Sequence, residues 1–139
     1  EDKARAKGKE LRAAYIQAIP GLEQLQGAIK QAATRGFVKA IDGRKILLDS
    51  PHKCLNYLLQ SSAGVIAKRW LYITHTKKPE SVHQLAFVHD ELQYECDPDD
   101  VNDMKFLLEL SAVEAGEYYN LRCPIAAEAK SGATWAETH

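Results

Sequence analysis

The chain has 139 residues, of which 45% are hydrophobic and 27% charged, values typical of a soluble globular protein with one hydrophobic core. Its three cysteines have no CxxC spacing, which argues against a disulfide framework or a zinc ribbon and favours a reducing compartment. No signal peptide is recognisable, and Lys68 and Arg69 interrupt the most apolar stretch, so we expect a cytoplasmic protein without a membrane span.

Charge is divided unevenly along the chain, although the net charge is only −1. Residues 1–78 contain 15 basic and 6 acidic side chains, whereas residues 79–139 contain 3 basic and 13 acidic ones. This division favours a basic half that binds a polyanion and an acidic half that binds cations. An equally good interpretation is that the two halves attract each other in the folded protein.

Apolar periodicity and turn signals predict nine elements in the order α-α-β-β-α-β-β-α-β. Asp42-Gly43 is a hairpin turn signal, and Ser50-Pro51 is typical of a helix start. The order predicts an α+β fold with an antiparallel sheet packed against long helices. The predicted helices cover about residues 7–19, 22–35, 51–76 and 97–116, and the predicted strands lie at 37–41, 45–49, 84–88, 91–96 and within 122–135.

A polar stripe follows one face of the third predicted helix. His52, Asn56 and Gln60 are spaced four residues apart, and Gly64 and Lys68 continue the row. Such a stripe is most often the solvated face of an amphipathic helix. Here it contains short amide and imidazole groups, which suit the DNA minor groove because every base pair presents similar acceptors there. Both interpretations stay open on the residues alone.

The segment FVHDELQYEC, residues 87–96, predicts a hairpin with three polar residues at its tip. Tight hairpin turns usually contain Gly or Asn to reach positive φ, and His89, Asp90 and Glu91 stand there instead. The tip is therefore either a solvated turn or a metal site. A hydrolytic site that uses all three side chains is disfavoured, because neighbouring strand residues point to opposite faces.

Four segments, read in this order, resemble the C-terminal part of family A DNA polymerases (the DNA polymerase I family), in particular its phage replicative branch. They are DGRK at 42–45, SPHKCLNYLLQSSAGVIAKRW at 50–70, VHDEL at 88–92, and the G-x-x-W run from Gly132 that leads to the terminal His139. VHDE alone is weakly specific, whereas the combination is strongly so. The likeness covers nearly the whole chain, with residues 1–35 similar to the end of the fingers region and residues 36–139 to the palm.

The resemblance implies roles for the carboxylates at the predicted hairpin tip. Asp90 is similar to the metal-binding aspartate of the third polymerase motif, and Glu91 to its less essential neighbour. The implied cofactor is Mg²⁺, in a two-metal site that residues outside this chain would complete. A few carboxylates combined with substrate phosphates are the ligands that Mg²⁺ favours.

The resemblance also implies a set of contacts with primer-template DNA. His89 is similar to a histidine that contacts the primer terminus. Three residues of the stripe, His52, Asn56 and Gln60, match positions that contact the minor groove. The other implied partners are a deoxynucleoside triphosphate and the remainder of the polymerase. The implied DNA-binding residues are His52, Asn56, Gln60, His89, Arg44 and Lys68.

Several parts of the family pattern are absent from the sequence. These are the first motif, D-x-S-x-x-E-L-R, the nucleotide-binding fingers helix, the thumb and a proofreading domain. We therefore expect an excised domain or the C-terminal piece of a split polymerase, inactive in nucleotidyl transfer without the missing parts. The alternative is a catalytically silent DNA-binding or interaction module, which would share the stripe but need no metal.

Overall fold

Helices and short antiparallel hairpins alternate along the computed structural model, which describes residues 2–138. This part of the chain forms four α-helices and four β-strands, and the predicted α+β class is confirmed. The α-helices are α1 (Asp2–Ala18), α2 (Leu22–Thr34), α3 (Cys54–Lys77) and α4 (Val101–Tyr118), and the strands are β1 (Phe37–Lys39), β2 (Lys45–Leu47), β3 (His83–Val88) and β4 (Glu91–Glu95).

The chain divides into two compact units. The first comprises Glu1–Lys39 and Lys45–Leu58, and the second comprises Ala40–Arg44 and Leu59–His139. Residues 54–58 of α3 thus belong to the first unit and the rest of that helix to the second. The predicted division into fingers and palm segments at residues 35 and 36 stays a prediction.

The core of the first unit is small and lies between α2, the β1–β2 hairpin and the start of α3. Ala32, Val38 and Cys54 are buried there, and the thiol of Cys54 donates a hydrogen bond to the carbonyl of Ile29 at 3.5 Å. Gly36, which follows the C-cap Arg35 of α2, has a φ of 77°, a left-handed conformation that glycine commonly adopts just after a helix. The partly buried residues packed against this core are Ile29, Ala33, Ile46, Leu48, Tyr57 and Leu58.

In the second unit, a hydrogen bond and an ion pair are among the contacts between α3 and α4. The indole nitrogen of Trp70 donates to the carbonyl of Leu108 at 2.8 Å, and Lys77 forms an ion pair with Glu114 at 2.5 Å. The most deeply buried residues of this unit include small residues of α4 that let this helix pack closely. Examples are Val82, Thr74 of α3, and Ser111, Ala112 and Ala115 of α4.

The predicted strand within residues 122–135 is wrong. The described part of this segment contains no strand, and it ends in a 3-10 turn over Trp135–Thr138. Ile125 packs against Gly116 of α4. A helix offers no row of free backbone groups for strand pairing, because its N–H and C=O groups bond to each other.

Two helix starts also differ from prediction. Ser50 precedes a 3-10 turn, Pro51–Lys53, and its side chain forms no capping hydrogen bond. The first helix begins at Asp2 rather than near residue 7, because its early Lys, Arg and Ala residues favour helix without an apolar period. Among the described residues, no helix combines the length and the hydrophobicity needed to cross a membrane.

Candidate active site at a hairpin tip

The β3–β4 hairpin closes in a two-residue turn. Val88 pairs with Glu91, the last pair of the ladder, so His89 and Asp90 form the turn itself. His89 adopts a φ of 55°, the left-handed conformation that usually falls to Gly or Asn in such turns. A non-glycine residue held there costs free energy, and such residues concentrate at functional sites. The turn places Asp90 at the outermost point of the hairpin.

The two carboxylates at this tip have different surroundings. Asp90 is exposed, whereas Glu91 is partly buried as the first residue of β4. Oε1 of Glu91 accepts a hydrogen bond from the side-chain amide of Gln93 and another from the indole nitrogen of Trp135, at 3.2 Å. The bonds from Gln93 and Trp135 thus restrain Glu91, while Asp90 is exposed to solvent.

Asp90 and Glu91 are candidate metal ligands, and their role stays a prediction. No group of three or more His, Cys, Asp or Glu side chains suitable for a metal ion exists among residues 2–138. Mg²⁺ keeps several water molecules and takes one or two carboxylates together with substrate phosphates. Asp90 and Glu91 fit that incomplete role and do not form an all-protein cage.

The polar stripe on α3 is solvent-exposed. His52 lies in the 3-10 turn before the helix, and Asn56, Gln60 and Lys68 lie on α3. All four residues are exposed, as a surface that meets DNA requires. Exposure is equally consistent with a solvated face, so DNA contact by these residues stays a prediction.

Arg44 lies in the turn of the first hairpin and is engaged by an acid. Its Nε forms an ion pair with Asp42 Oδ2 at 2.6 Å, and its backbone N–H donates to Asp42 Oδ1 at 3.2 Å. Burial acts to raise the pKa of Asp42, but the hydrogen bonds from Arg44 outweigh it and hold that pKa below its usual value. The predicted contact of Arg44 with DNA would therefore be made by a guanidinium already oriented by Asp42.

An acid beside the stripe forms a local network. Asp49 accepts hydrogen bonds from Lys53 Nζ at 2.7 Å and from the hydroxyl of Tyr57 at 2.9 Å. These bonds lower the pKa of Asp49, and the bond from Lys53 is the larger cause. Sequence reasoning did not include this network, because Asp49 precedes the predicted helix and helical spacing does not apply to it.

Sequence reasoning also missed the two side chains that hold Glu91. Gln93 is two residues further along β4, so period-two alternation alone places both on one face. Trp135 is 44 positions away, and only the fold brings it to Glu91. The terminal His139 of the predicted motif lies outside the described residues.

Comparisons with known proteins agree with this arrangement. The model of the family described as DNA polymerase family A matches residues 2–137. Two relatives named DNA-directed DNA polymerase are 31% identical, from Enterobacteria phage T3, and 29% identical, from Escherichia phage T7, each over 97% of this chain. The chain spans only 23% of the length of either relative.

A solved structure has the same fold. It is described as the POL domain of Pol1 from M. smegmatis in complex with DNA primer-template and dNTP. It superposes with a TM-score of 0.74 over 86% of this chain and 24% of its own, at 23% sequence identity.

Proposed function

Because this chain belongs to DNA polymerase family A, we propose that it is the C-terminal palm part of a DNA-directed DNA polymerase. The whole enzyme would transfer a nucleotide from a deoxynucleoside triphosphate to the 3′ end of a primer during DNA replication. One observation carries the proposal: an exposed aspartate, Asp90, at the outermost point of a strained hairpin turn with a second carboxylate beside it.

The chain's own residues have distinct tasks in this reaction. Asp90 would hold Mg²⁺ through its exposed carboxylate, and Glu91 would support it from the start of β4. His89, fixed by its turn conformation, meets the primer end. Mg²⁺, when bound, would supply charge neutralisation at the phosphates. Positioning of the reacting groups is then the main contribution of the protein.

The exposed stripe and Arg44 bind the primer-template in this proposal. Amide and imidazole donors at His52, Asn56 and Gln60 would meet minor-groove acceptors, which are similar for every base pair. Lys68 and Arg44 would contact phosphates and fix the register of the duplex. The site then recognises paired geometry without reading sequence, as replication requires.

The chain supplies one part of the machinery and needs the rest. We propose that residues 1–35 end the fingers region and that residues 36–139 form the palm part with the third polymerase motif. A partner aspartate, the nucleotide-binding helix and the thumb come from the remainder of the polymerase, on the same or a separate chain, in the cytoplasm of a bacterial or phage-infected cell.

The test is primer extension by this chain with and without the remaining polymerase segments. We expect no extension by the chain alone and Mg²⁺-dependent extension by the complete protein. Duplex binding that persists in a complete protein without Mg²⁺-dependent extension would support the silent DNA-binding module instead. The basic charge of residues 1–78 and the exposed stripe favour that second candidate as much as the first.

A further inference from the structure

We propose that Trp135 is a positioning residue for Glu91, and that the C-terminal turn serves to hold its indole against the metal-binding hairpin. The inference rests on the proposed polymerase function, since it assigns to Trp135 a task at the same site. Trp135 touches no reacting group in this proposal. It acts through Glu91.

Glu91 accepts hydrogen bonds from side chains of two separate elements. Gln93 donates from the same strand, and Trp135 donates from the C-terminal 3-10 turn. Both donors meet the same oxygen, Oε1. A carboxylate held in this way cannot rotate freely about its last side-chain torsion. The orientation of the Glu91 carboxylate is therefore set before a cation binds.

The turn that carries Trp135 is itself closed by specific contacts. The carboxylate of Glu137 accepts a hydrogen bond from the backbone N–H of Ala133 at 2.7 Å. The hydroxyl of Thr138 donates to the carbonyl of Trp135 at 2.8 Å. A Cβ at Gly132 would collide with the side chain of Glu137, so the turn has room for glycine alone at that position. These contacts fix the backbone on both sides of the indole.

Burial accounts for only part of what holds this tryptophan in place. Trp135 is 54% exposed, so its ring gains only part of the free energy that burial of a tryptophan can provide. Its polar atom is nevertheless bonded to a carboxylate at the candidate metal site. Trp70 differs, since it is less exposed and its indole nitrogen bonds to a backbone carbonyl in the helix pair.

The two acids of the site therefore have different roles. The orientation of Glu91 is restrained by hydrogen-bond donors, and Asp90 is exposed to solvent at the turn. Outer partners of this kind orient a metal-binding group, and their loss typically costs 10- to 100-fold in metal affinity or activity. We therefore infer that Trp135 increases the affinity of Asp90 and Glu91 for a cation.

The first experiment compares Trp135→Phe with Trp70→Phe in the complete polymerase. Each variant keeps an aromatic ring and loses one indole N–H. We expect Trp135→Phe to raise the Mg²⁺ concentration for half-maximal single-turnover extension by roughly 10-fold, with a smaller effect on duplex affinity. Trp70→Phe should leave the Mg²⁺ dependence unchanged. Equal Mg²⁺ dependence of the two variants would overturn the inference and leave the polymerase proposal intact.

The second experiment needs no catalysis. The chain contains two tryptophans, so a 15N-labelled sample gives two indole N–H resonances, which Trp135→Phe assigns. We expect Glu91→Gln, and separately Mg²⁺ titration, to shift the Trp135 resonance more than that of Trp70. The Mg²⁺-dependent shift should disappear in Asp90→Asn. An unchanged chemical shift of the Trp135 resonance in Glu91→Gln would refute the contact between the two residues. This result would not depend on the activity of the complete polymerase.

Discussion

Asp90 and Glu91 are neighbours in sequence, yet the hairpin gives them different environments. Asp90 is the exposed second residue of the turn, and Glu91 is a partly buried strand residue paired with Val88. The difference arises because the turn ends between them. Two chemically similar acids thus acquire separate roles from their position at the boundary of a two-residue turn.

Asp90→Asn should nearly abolish primer extension by the complete polymerase while the fold persists. The amide is almost isosteric but lacks the charge that a hard cation requires. We expect a loss of activity above the roughly 10- to 100-fold typical of an outer partner, and a change in unfolding free energy within about 0.5 kcal/mol. Single-turnover extension and thermal melting measure the two effects. Glu91→Gln is the matched control and should lower activity less. Near-normal turnover by Asp90→Asn would show that the hairpin tip is only a solvated turn.

Gln60→Ala should impair extension more than stability. Gln60 is exposed on α3, so loss of its amide should change the unfolding free energy by no more than about 0.5 kcal/mol. Primer extension and duplex affinity are compared with those of Asn102→Ala, which removes an exposed amide from α4, away from the stripe. The DNA-binding interpretation predicts a defect for Gln60→Ala alone, and similar behaviour of both variants would contradict it.

Duplex binding by the chain should be weak, independent of sequence and sensitive to salt. Residues 1–78 carry the basic excess, and phosphate contacts dominate this kind of affinity. The logarithm of the binding constant should fall linearly with the logarithm of the salt concentration, with a slope of about −0.9 for each phosphate neutralised. Titration of two unrelated duplexes at several salt concentrations provides the measurement. A strong preference for one sequence, or a flat salt profile, would argue against the proposed interface.

The carboxyl group of Asp49 should titrate below its reference pKa of 3.8. Lys53→Gln should raise this pKa more than Tyr57→Phe does, because the hydrogen bond from Lys53 is the larger cause of the shift. Since the folded-state pKa is depressed, the stabilising contribution of this network is present above pH 3.8 and is lost as the pH falls through the lower value. NMR titration of the side-chain carboxyl carbon of Asp49 measures this pKa in each variant. A larger rise of the pKa in Tyr57→Phe than in Lys53→Gln would contradict the prediction.

Gly116→Ala should destabilise the chain, although alanine favours helix. A Cβ there would lie 2.8 Å from Cγ1 of Ile125, so the tail must move or lose its contact with α4. We expect a loss of about 1–3 kcal/mol in unfolding free energy, as for other overpacked sites. Gly27→Ala is the control because open space surrounds Gly27 in α2, and it should be stabilising by up to about 1 kcal/mol. Denaturant unfolding measures the free energy of unfolding of both variants. Equal changes in the two would mean that the tail can move to accommodate the Cβ at position 116.

Local sequence signals determined most of the elements. Apolar periodicity predicted the long helix that became α3, and the FVHDEL segment predicted a hairpin whose observed strands end at Val88 and begin again at Glu91. Such signals suffice because helix period, strand alternation and turns involve residues that are close along the chain. The candidate acids could be named in the same way, since Asp90 and Glu91 are adjacent.

Only the tertiary structure decided which distant groups surround those acids. The tail was predicted to contain a strand, but contact between Ile125 and Gly116 places that segment against a helix. The bond from Trp135 to Glu91 spans 44 positions and depends on that placement of the tail. No local pattern contains such a contact, because it follows from packing between elements and not from the preference of any one segment.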